Sequence, residues 1–223
     1  SAATNTTAIR NAISAAVVNG DPVTASIAGT YLVTAATAIA LEGGTEYTAF
    51  NIYSNLHIDL PGVILKMANS VSTDAAPLAI NLFATNQALQ NVSFRNVILD
   101  MNGANNTISP NRGSGTYDVS KNMAHISVSG TPGGVAARID DCVIEGCWFV
   151  NTSGVCCIVA GQSNSTGVTL GTRWTIKNNL FLHNGLDTTD HTSIFAWTNN
   201  VLCEGNDFVT PDALKTTVLG GIS

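Results

Sequence analysis

The sequence predicts a single all-β domain in which parallel strands stack into a solenoid, preceded by one short helix. One strong helical pattern lies near the start, and the rest of the chain carries strand and turn patterns. Five later segments share one spacing of apolar, charged and turn-forming residues, which is typical of a repeat architecture. We expect one domain over 1–223, with a capping helix at 5–18, entry strands within 29–67 and repeated layers over 79–209.

The helix is predicted from apolar residues that recur every three or four positions. This spacing places them on one face of an α-helix: Ala8, Ile9, Ala12, Ile13, Ala16 and Val17. Asn5 or Thr6 can accept a hydrogen bond from a free backbone N–H at its start, and Gly20 and Pro22 end the pattern. The following run from Gly29 is rich in strand-forming residues.

The repeat alternates apolar and variable residues over five positions, as expected of a strand with one buried face. It occurs at 56–60, 92–96, 142–146, 174–178 and 201–205. We expect the third residues to stack in one interior column (Ile58, Phe94, Ile144, Ile176, Cys203) and the first residues in another (Leu56, Val92, Cys142, Trp174, Val201). The fifth residue is Asn or Gly in four segments, and these residues best tolerate a left-handed turn. A further apolar column is expected five residues past the third position: Leu99, Phe149, Phe181 and Phe208.

The fourth residues of the repeat alternate in charge along the chain: Asp59, Arg95, Glu145, Lys177 and Glu204. In neighbouring strands about 4.8 Å apart, each charge would lie between charges of opposite sign. We interpret this row as an exposed ion-pair ladder rather than a catalytic row. Isolated surface pairs contribute only about 0–1 kcal/mol and need no functional explanation.

A second strand precedes each later repeat, at 79–83, 125–128, 155–159 and 193–197. Successive third positions are separated by 36, 50, 32 and 27 residues. These separations fit a basic unit of 27 residues that is lengthened by loop insertions in the other units. Strand–turn–strand units without intervening helices favour a parallel solenoid. An antiparallel sandwich is the rival fold.

Composition excludes several functional classes. Charged residues make up 11% of the chain and the net charge is −6, which argues against a nucleic-acid partner. No apolar run reaches the roughly 20 residues of a membrane span, so membrane insertion is not expected. The five cysteines lack paired spacing and are expected to be free, mostly buried thiols.

The opening of the chain resembles that of pectate-lyase-like right-handed β-helix proteins, a superfamily that includes polygalacturonases, pectate lyases and bacteriophage tailspikes. The resemblance rests on residues 7–16, on the Gly-Thr-Tyr run from Gly29, on 55–58 with 62–67, and on turns at 178–181 and 205–208. It implies a single-stranded right-handed parallel β-helix with an N-terminal capping helix. Asn5 stands where an acidic residue usually opens the helix, and Ile27-Ala28 replaces the usual Pro-containing approach. A fold shared at this level does not fix a function.

The catalytic candidates are Asp187, Asp190 and His191, which form a titratable loop cluster with His183. Carboxylates beside imidazole suit acid–base chemistry or Ca²⁺ binding, and a polar surface loop is the alternative. Asp190-His191 resembles the Asp-His of pectate lyases, without the arginines of those enzymes. No metal site or resident cofactor is predicted apart from that Ca²⁺ option.

Four residues are candidates for sugar binding: Asp100, Tyr117, Trp148 and Trp197. Asp100 begins a turn-rich excursion that continues to Tyr117, and the two tryptophans can stack on a sugar ring. Trp174 falls in an interior column and is expected to be core. Asp140-Asp141 is the only adjacent acidic pair and stands at the start of a repeat strand, where it fits a turn equally well.

The function expected from this combination is a virion tailspike-like module that binds, and in one version cleaves, a bacterial surface polysaccharide as a homotrimer. This would place the protein in the virion tail or outside the cell. The alternatives are a free polysaccharide lyase or glycoside hydrolase, and a non-catalytic structural solenoid. The last repeat has no polar cap after it, so we expect either a longer chain or a partner covering that end.

Overall fold

The computed structural model describes residues 1–41, 44–106, 123–130, 137–154, 156–162, 170–184 and 192–209. These residues form one α-helix, a short 3-10 helix (Gly103–Asn105) and fifteen strands. In chain order, the helix is α1 (Ala2–Asn19) and the strands are β1 (Gly29–Val33), β2 (Thr37–Leu41), β3 (Gly44–Asn51), β4 (His57–Met67), β5 (Ile80–Thr85), β6 (Ala88–Asp100), β7 (Ala124–Ser129), β8 (Arg138–Glu145), β9 (Trp148–Val150), β10 (Cys156–Gln162), β11 (Gly171–Lys177), β12 (Leu180–Leu182), β13 (Thr192–Ala196), β14 (Thr198–Glu204) and β15 (Asp207–Val209). The prediction of an all-β chain with one N-terminal helix is confirmed.

Helix α1 begins three residues before the predicted start because Ser1 is its cap. The Ser1 hydroxyl accepts a hydrogen bond from the Thr4 N–H, which satisfies one free donor of the first turn. Thr6 is instead buried, and its hydroxyl accepts from the backbone N–H of Thr34 at 2.9 Å. The helix ends at Gly20, which has φ 75° in the left-handed region. Its buried residues, including Ile13, pack against β1 and β3.

The strands form two sheets. The first sheet contains β1, β4, β6, β8, β9, β11, β12, β14 and β15, and all of its pairings are parallel. The second sheet contains β2, β3, β5, β7, β10 and β13. It is mixed, because β2 and β3 form an antiparallel hairpin while its other pairs are parallel. This arrangement rules out the antiparallel sandwich.

The predicted register of the first sheet is confirmed pair by pair. Ile58 lies opposite Phe94, and Phe94 lies opposite Ile144. Ile144 lies opposite Ile176, which in turn lies opposite Cys203. The connection between successive parallel strands cannot be a tight hairpin, and the strands of the second sheet lie in these connections.

The predicted left-handed turns occur at the fifth position of the repeat. Asn96, Gly146, Asn178 and Gly205 have φ between 55° and 64°. A Cβ atom on Gly146 would lie 2.9 Å from Oδ1 of Asn96, and one on Gly205 would lie 2.6 Å from Oδ1 of Asn178. Glycine above each asparagine therefore adopts the left-handed turn without strain and avoids a close contact with the asparagine oxygen.

The core lies between the two sheets and is continuous along the stack. Phe83 of the second sheet contacts Phe94 of the first, with ring centroids 5.0 Å apart. The predicted phenylalanine column is also present: Phe149 stacks on Phe181 at 4.9 Å, and Phe181 on Phe208 at 4.8 Å. These spacings equal the distance between neighbouring strands, so the rings follow the backbone register.

One carboxyl group is buried inside this core. Glu46 of β3 is buried, and Asn81 of β5 donates a hydrogen bond of 2.6 Å to its Oε2. The Oδ1 of Asn81 accepts from the N–H of Ala124 at the start of β7. Burial raises the pKa of Glu46 to about 8, against the opposing effect of the Asn81 hydrogen bond. The group is therefore protonated at neutral pH and links three strands.

Truncation of the phenylalanine column should destabilise the fold most at its centre. Phe181→Ala is expected to lower the free energy of unfolding by about 3–5 kcal/mol, since it leaves a cavity between two stacked rings. Phe208→Ala serves as a matched comparison and should cost less, because Phe208 is 39% exposed whereas Phe181 is 2% exposed. Urea denaturation of both variants measures the difference; equal losses would contradict the stack as described.

The buried carboxyl predicts a specific pH dependence. The native state keeps a proton on Glu46 up to about pH 8, whereas the unfolded chain releases it near the ordinary pKa of 4.5. Stability should therefore fall as pH rises through this window, by at most about 1.4 kcal/mol per pH unit. Glu46→Gln keeps an acceptor for Asn81 and should remove this part of the slope in urea titrations. Glu204→Gln, at an exposed position, is the control; identical slopes for the native chain and Glu46→Gln would contradict the prediction.

Candidate functional site

A groove lies on the outer face of the first sheet, where side chains from successive parallel strands line one concave surface. Its volume is about 590 Å³, within the range of ligand sites. The outward second and fourth positions of the repeat supply half of its lining, because alternate residues of a strand point to opposite faces. The lining residues are Pro22, His57, Ile58, Asp59, Asn91, Val92, Ser93, Arg95, Asp141, Val143, Arg173 and Thr175.

A row of left-handed residues lies three positions before the interior third position of each repeat, and its three central members line the groove. The row consists of Asn55, Asn91, Asp141, Arg173 and Asn200, with φ between 56° and 62°. Asn and Asp adopt this conformation more readily than most residues because their short side chains bond locally. Neighbours in the row are connected, since Nδ2 of Asn91 donates to Oδ1 of Asn55 at 2.9 Å.

Arg173 is the exception in this row, and a bidentate ion pair holds it. Its Nε donates to Oδ1 of Asp141 at 2.5 Å, and its Nη2 donates to Oδ2 at 2.8 Å. Both side chains are more than half exposed. The hydrogen bonds from Arg173 lower the pKa of Asp141, so this carboxylate stays charged at the groove wall.

The predicted ion-pair ladder is present on the outer face at its three central members, Arg95, Glu145 and Lys177. Arg95 pairs with Glu145, and Nζ of Lys177 lies 2.9 Å from Oε1 of the same carboxylate. The hydrogen bond from Lys177 is the main cause that lowers the pKa of Glu145, and the charge of Arg95 adds to it. The three side chains are only partly shielded from solvent, so the ladder supplies little stability. Its effect is to fix charged groups at regular spacing.

Further hydrogen-bonding groups lie beside these charges. Nδ1 of His57 lies 2.9 Å from the hydroxyl oxygen of Ser93 on the adjacent strand. Oδ1 of Asp59 accepts a bond of 2.8 Å from Nδ2 of Asn96. The groove therefore presents donors and acceptors from several adjacent strands. Cations compensate Asp141 in the groove lining and Glu145 in the adjoining ladder. Their lowered pKa values suit ligand binding better than proton donation, because a general acid needs a raised pKa.

Asp100 lies at the end of β6, away from the residues that line the groove. It is 7% exposed, and its oxygens are occupied by bonds within the fold. Lys66 Nζ lies 3.2 Å from Oδ2, while the N–H of Asn102 and Nδ2 of Asn151 donate to Oδ1. The sugar-binding role of Asp100 stays a prediction.

The structure separates the two candidate stacking tryptophans. Trp148 lies on β9 in the first sheet and is 46% exposed, whereas Trp197 directly follows β13 of the second sheet and is 43% exposed. Both rings have an accessible face, but they do not line the groove. Trp174 is core as predicted: it is buried, and its indole N–H donates to the carbonyl of Ile139 at 2.8 Å.

The remaining candidates, Tyr117, Asp187, Asp190 and His191, lie outside the described residues. His183, their neighbour in the sequence cluster, follows β12 in a left-handed conformation, and its N–H donates to the carbonyl of Val209. Within the described ranges, no group of three or more His, Cys, Asp or Glu side chains is arranged to hold a metal ion. Ca²⁺ binding at the 183–191 loop stays a prediction.

None of the five cysteines is in a disulfide, as predicted, and all but Cys203 are buried. Burial raises the pKa of Cys147 to about 12 and also raises that of Cys142 and Cys157, so these thiols are unreactive.

In the described part of the chain, no helix is long and apolar enough to cross a membrane.

No protein-family model matches this chain, and comparison with curated proteins and with solved structures finds no match.

The sequence contains a further signal for the groove, at the position just before each five-residue repeat. Four of the five positions located three residues before the interior third position are Asn or Asp. That regularity marks the left-handed row and hence the groove wall. The fifth position, Arg173, carries no such signal, because arginine has no special preference for this conformation.

The left-handed row predicts which residues position 173 accepts. Arg173→Asn should keep or raise the melting temperature, because the exposed ion pair it removes contributes little and Asn tolerates this conformation. Arg173→Val should lower the melting temperature, since a β-branched residue is strained there. The two variants lose the same ion pair, so their difference in thermal unfolding isolates the backbone effect. A Val variant as stable as the Asn variant would contradict the assignment.

Proposed function

We propose that the chain is a single-stranded right-handed parallel β-helix of the pectate-lyase-like kind, with α1 as its N-terminal cap. Two observations support this fold. The strands of the first sheet pair in parallel and in register, and strands of the second sheet lie between them along the chain. The resemblance of the opening segment and of the later turns points in the same direction. The handedness is part of the proposal.

On this fold, we propose that the protein is a virion tailspike-like module that binds a bacterial surface polysaccharide. The observation that carries the proposal is the outer groove, in which hydrogen-bonding side chains from four successive parallel strands line one surface. An extended glycan crossing these strands would meet new donors and acceptors about every 4.8 Å. Sugar hydroxyls both donate and accept, so a lining of imidazole, hydroxyl, amide, carboxylate and guanidinium groups matches them.

The charge balance of the groove supports a glycan rather than a strongly charged ligand. The lining residues include two arginines, Arg95 and Arg173, and two aspartates, Asp59 and Asp141. The chain as a whole has a net charge of −6. A polyanion would meet no excess of positive charge, which a nucleic acid requires. This balance favours a neutral or weakly charged polysaccharide.

Cleavage belongs to the proposal as an added activity. Asp187, Asp190 and His191 would act as the acid–base groups, with Tyr117, Trp148, Trp197 and Asp100 as further sugar contacts. Under that version, Asp187→Ala or Asp190→Ala removes depolymerisation and leaves the circular dichroism spectrum unchanged. The protein would act as a homotrimer in the virion tail or outside the cell, which its mass in solution tests.

The groove is tested by binding to an array of bacterial capsular and O-antigen polysaccharides. The double variant His57→Ala/Ser93→Ala removes two neighbouring polar groups and should weaken retention roughly tenfold or more, as loss of one or two hydrogen bonds to a ligand does. Asp207→Ala, at an exposed position outside the groove lining, is the control and should bind as the native chain does.

Three other results decide between the candidates. Binding that is equal in the native chain and the double variant would move the glycan site away from the groove. If the native chain binds none of the polysaccharides, a non-catalytic structural solenoid is favoured. The ion-pair ladder, whose charges compensate one another, also fits that role. A monomer that cleaves glycans would favour the free lyase or hydrolase.

A further inference from the structure

Two adjoining hollows lie where β2 begins and where the parallel strands β3 and β5 end, and helix α1 borders the smaller one. Their volumes are about 360 and 200 Å³. Three residues line both hollows and so mark the junction between them: Thr37, Asn51 and Tyr53. No residue of either hollow lines the outer groove.

The lining of the two hollows lacks the groups that hold metal ions or carry out acid–base chemistry. The residues that line them include no Asp, Glu, His, Cys or Lys. The one charged lining residue is Arg10, and β3 already engages its guanidinium. Its Nε donates to the carbonyl of Ala49 at 2.7 Å, and its Nη2 donates to that of Thr48 at 3.2 Å. The polar groups that remain are amides and hydroxyls, which suit a neutral ligand that both donates and accepts hydrogen bonds.

The amides of the larger hollow are held in place by the fold. Nδ2 of Asn86 donates to the carbonyl of Ala40 at 3.0 Å, and Oδ1 of Asn86 accepts from Nε2 of Gln87 at 2.7 Å. The backbone N–H of Gln87 donates to the hydroxyl of Thr85 at 3.1 Å. A carboxamide oxygen accepts two hydrogen bonds, so Asn86 keeps one for a ligand. Because these side chains are already ordered, a ligand loses less affinity to ordering them.

Asn51, at the junction, has an amide oxygen that the fold leaves unsatisfied. Its Oδ1 is shielded from solvent, and none of the described groups donates a hydrogen bond to it. A buried acceptor without a partner is rare in native proteins and costs stability. A ligand hydroxyl at the junction would supply the missing donor once the Asn51 side chain turns toward it. Binding would then remove a cost that the free chain bears.

Tyr53 adds an aromatic side chain at the same junction. It is 40% exposed, and it lines both hollows. An aromatic ring has an apolar face on which the C–H face of a pyranose ring can lie, while nearby amides bond to the hydroxyls at the rim of the sugar. A few placed polar groups beside an aromatic surface are typical of sites that orient a small ligand.

We propose that the two hollows form a second saccharide site, which binds one or two neutral sugar units. Tyr53 lies beneath a pyranose ring, and Asn51 accepts a hydrogen bond from one of its hydroxyls. The site shares no residue with the outer groove, so it stands whether or not that groove binds glycan. Where one polysaccharide reaches both sites, its second contact is intramolecular and increases its retention.

The probes are the methyl glycosides of glucose, galactose, mannose and N-acetylglucosamine, whose binding to the full chain is measured by saturation-transfer NMR and titration. We expect at least one of them to bind the native chain. Tyr53→Ala should weaken that binding roughly tenfold or more, whereas Tyr53→Phe keeps the ring and should bind within about threefold of the native chain.

Asn51→Leu tests the amide separately, because it keeps the size of the side chain and removes its polar atoms. It should weaken sugar binding roughly tenfold. Its melting temperature should equal or exceed that of the native chain, since it removes an unsatisfied acceptor. A lower melting temperature would show that the fold satisfies this amide and would contradict its proposed role. Circular dichroism checks the fold of each variant, and Asn51→Leu carries the test if Tyr53→Ala does not fold.

The matched control is the groove variant His57→Ala/Ser93→Ala, which should bind these glycosides as the native chain does. Sugar binding that is lost in the groove variant and kept in Tyr53→Ala and Asn51→Leu would assign the sugar to the groove and overturn the second site. Binding of none of the four glycosides would also overturn it. Adenosine is the remaining probe: if it alone binds, and Tyr53→Ala abolishes its binding, the ligand is a nucleobase and the saccharide assignment is wrong.

Discussion

In-register parallel pairing in the first sheet is the constraint on which the rest of this structure depends. It places equivalent residues of β6, β8, β11 and β14 directly beside one another. Apolar residues then form continuous columns inside, and charged residues form a row outside. A one-residue slip would turn the buried set outward and the charged set inward. The alternation of apolar and charged side chains therefore favours one register over all others.

The same constraint explains why the asparagines and glycines of the turns alternate. An asparagine such as Asn178 points its amide toward the next layer, where a glycine avoids a close contact with its oxygen. The amides one position later, at Asn179 and Asn206, bond to each other and to backbone groups of neighbouring strands. The turns thus satisfy polar groups that would otherwise be buried without partners.

Much of the fold was predictable because its signals repeat. Five copies of one pattern reveal the columns, the charge alternation and the left-handed turns even though each copy alone is weak evidence. The start of α1 was not predictable in the same way, since Ser1, Asn5 and Thr6 are all acceptable caps and only the packing of Thr6 distinguishes them.

The groove was harder to predict because its residues share no chemical type. His57, Ser93, Val143 and Thr175 occupy the same outward position on four strands, where the fold requires only that a side chain tolerate solvent. Such positions carry no repeat signal, and their proximity follows only from the register. The bidentate contact between Arg173 and Asp141 likewise depends on two residues that lie 32 positions apart.

The unequal spacing of the repeats has a consequence for how this chain can change. Third-position residues are separated by as few as 27 and as many as 50 residues, yet their strands pair without any shift at those positions. Lengthening a flexible connection costs little entropy, about 0.6 kcal/mol for each doubling. Segments grafted between the two sheets should therefore leave the stack intact, so new recognition loops can be acquired or exchanged while the scaffold is inherited unchanged.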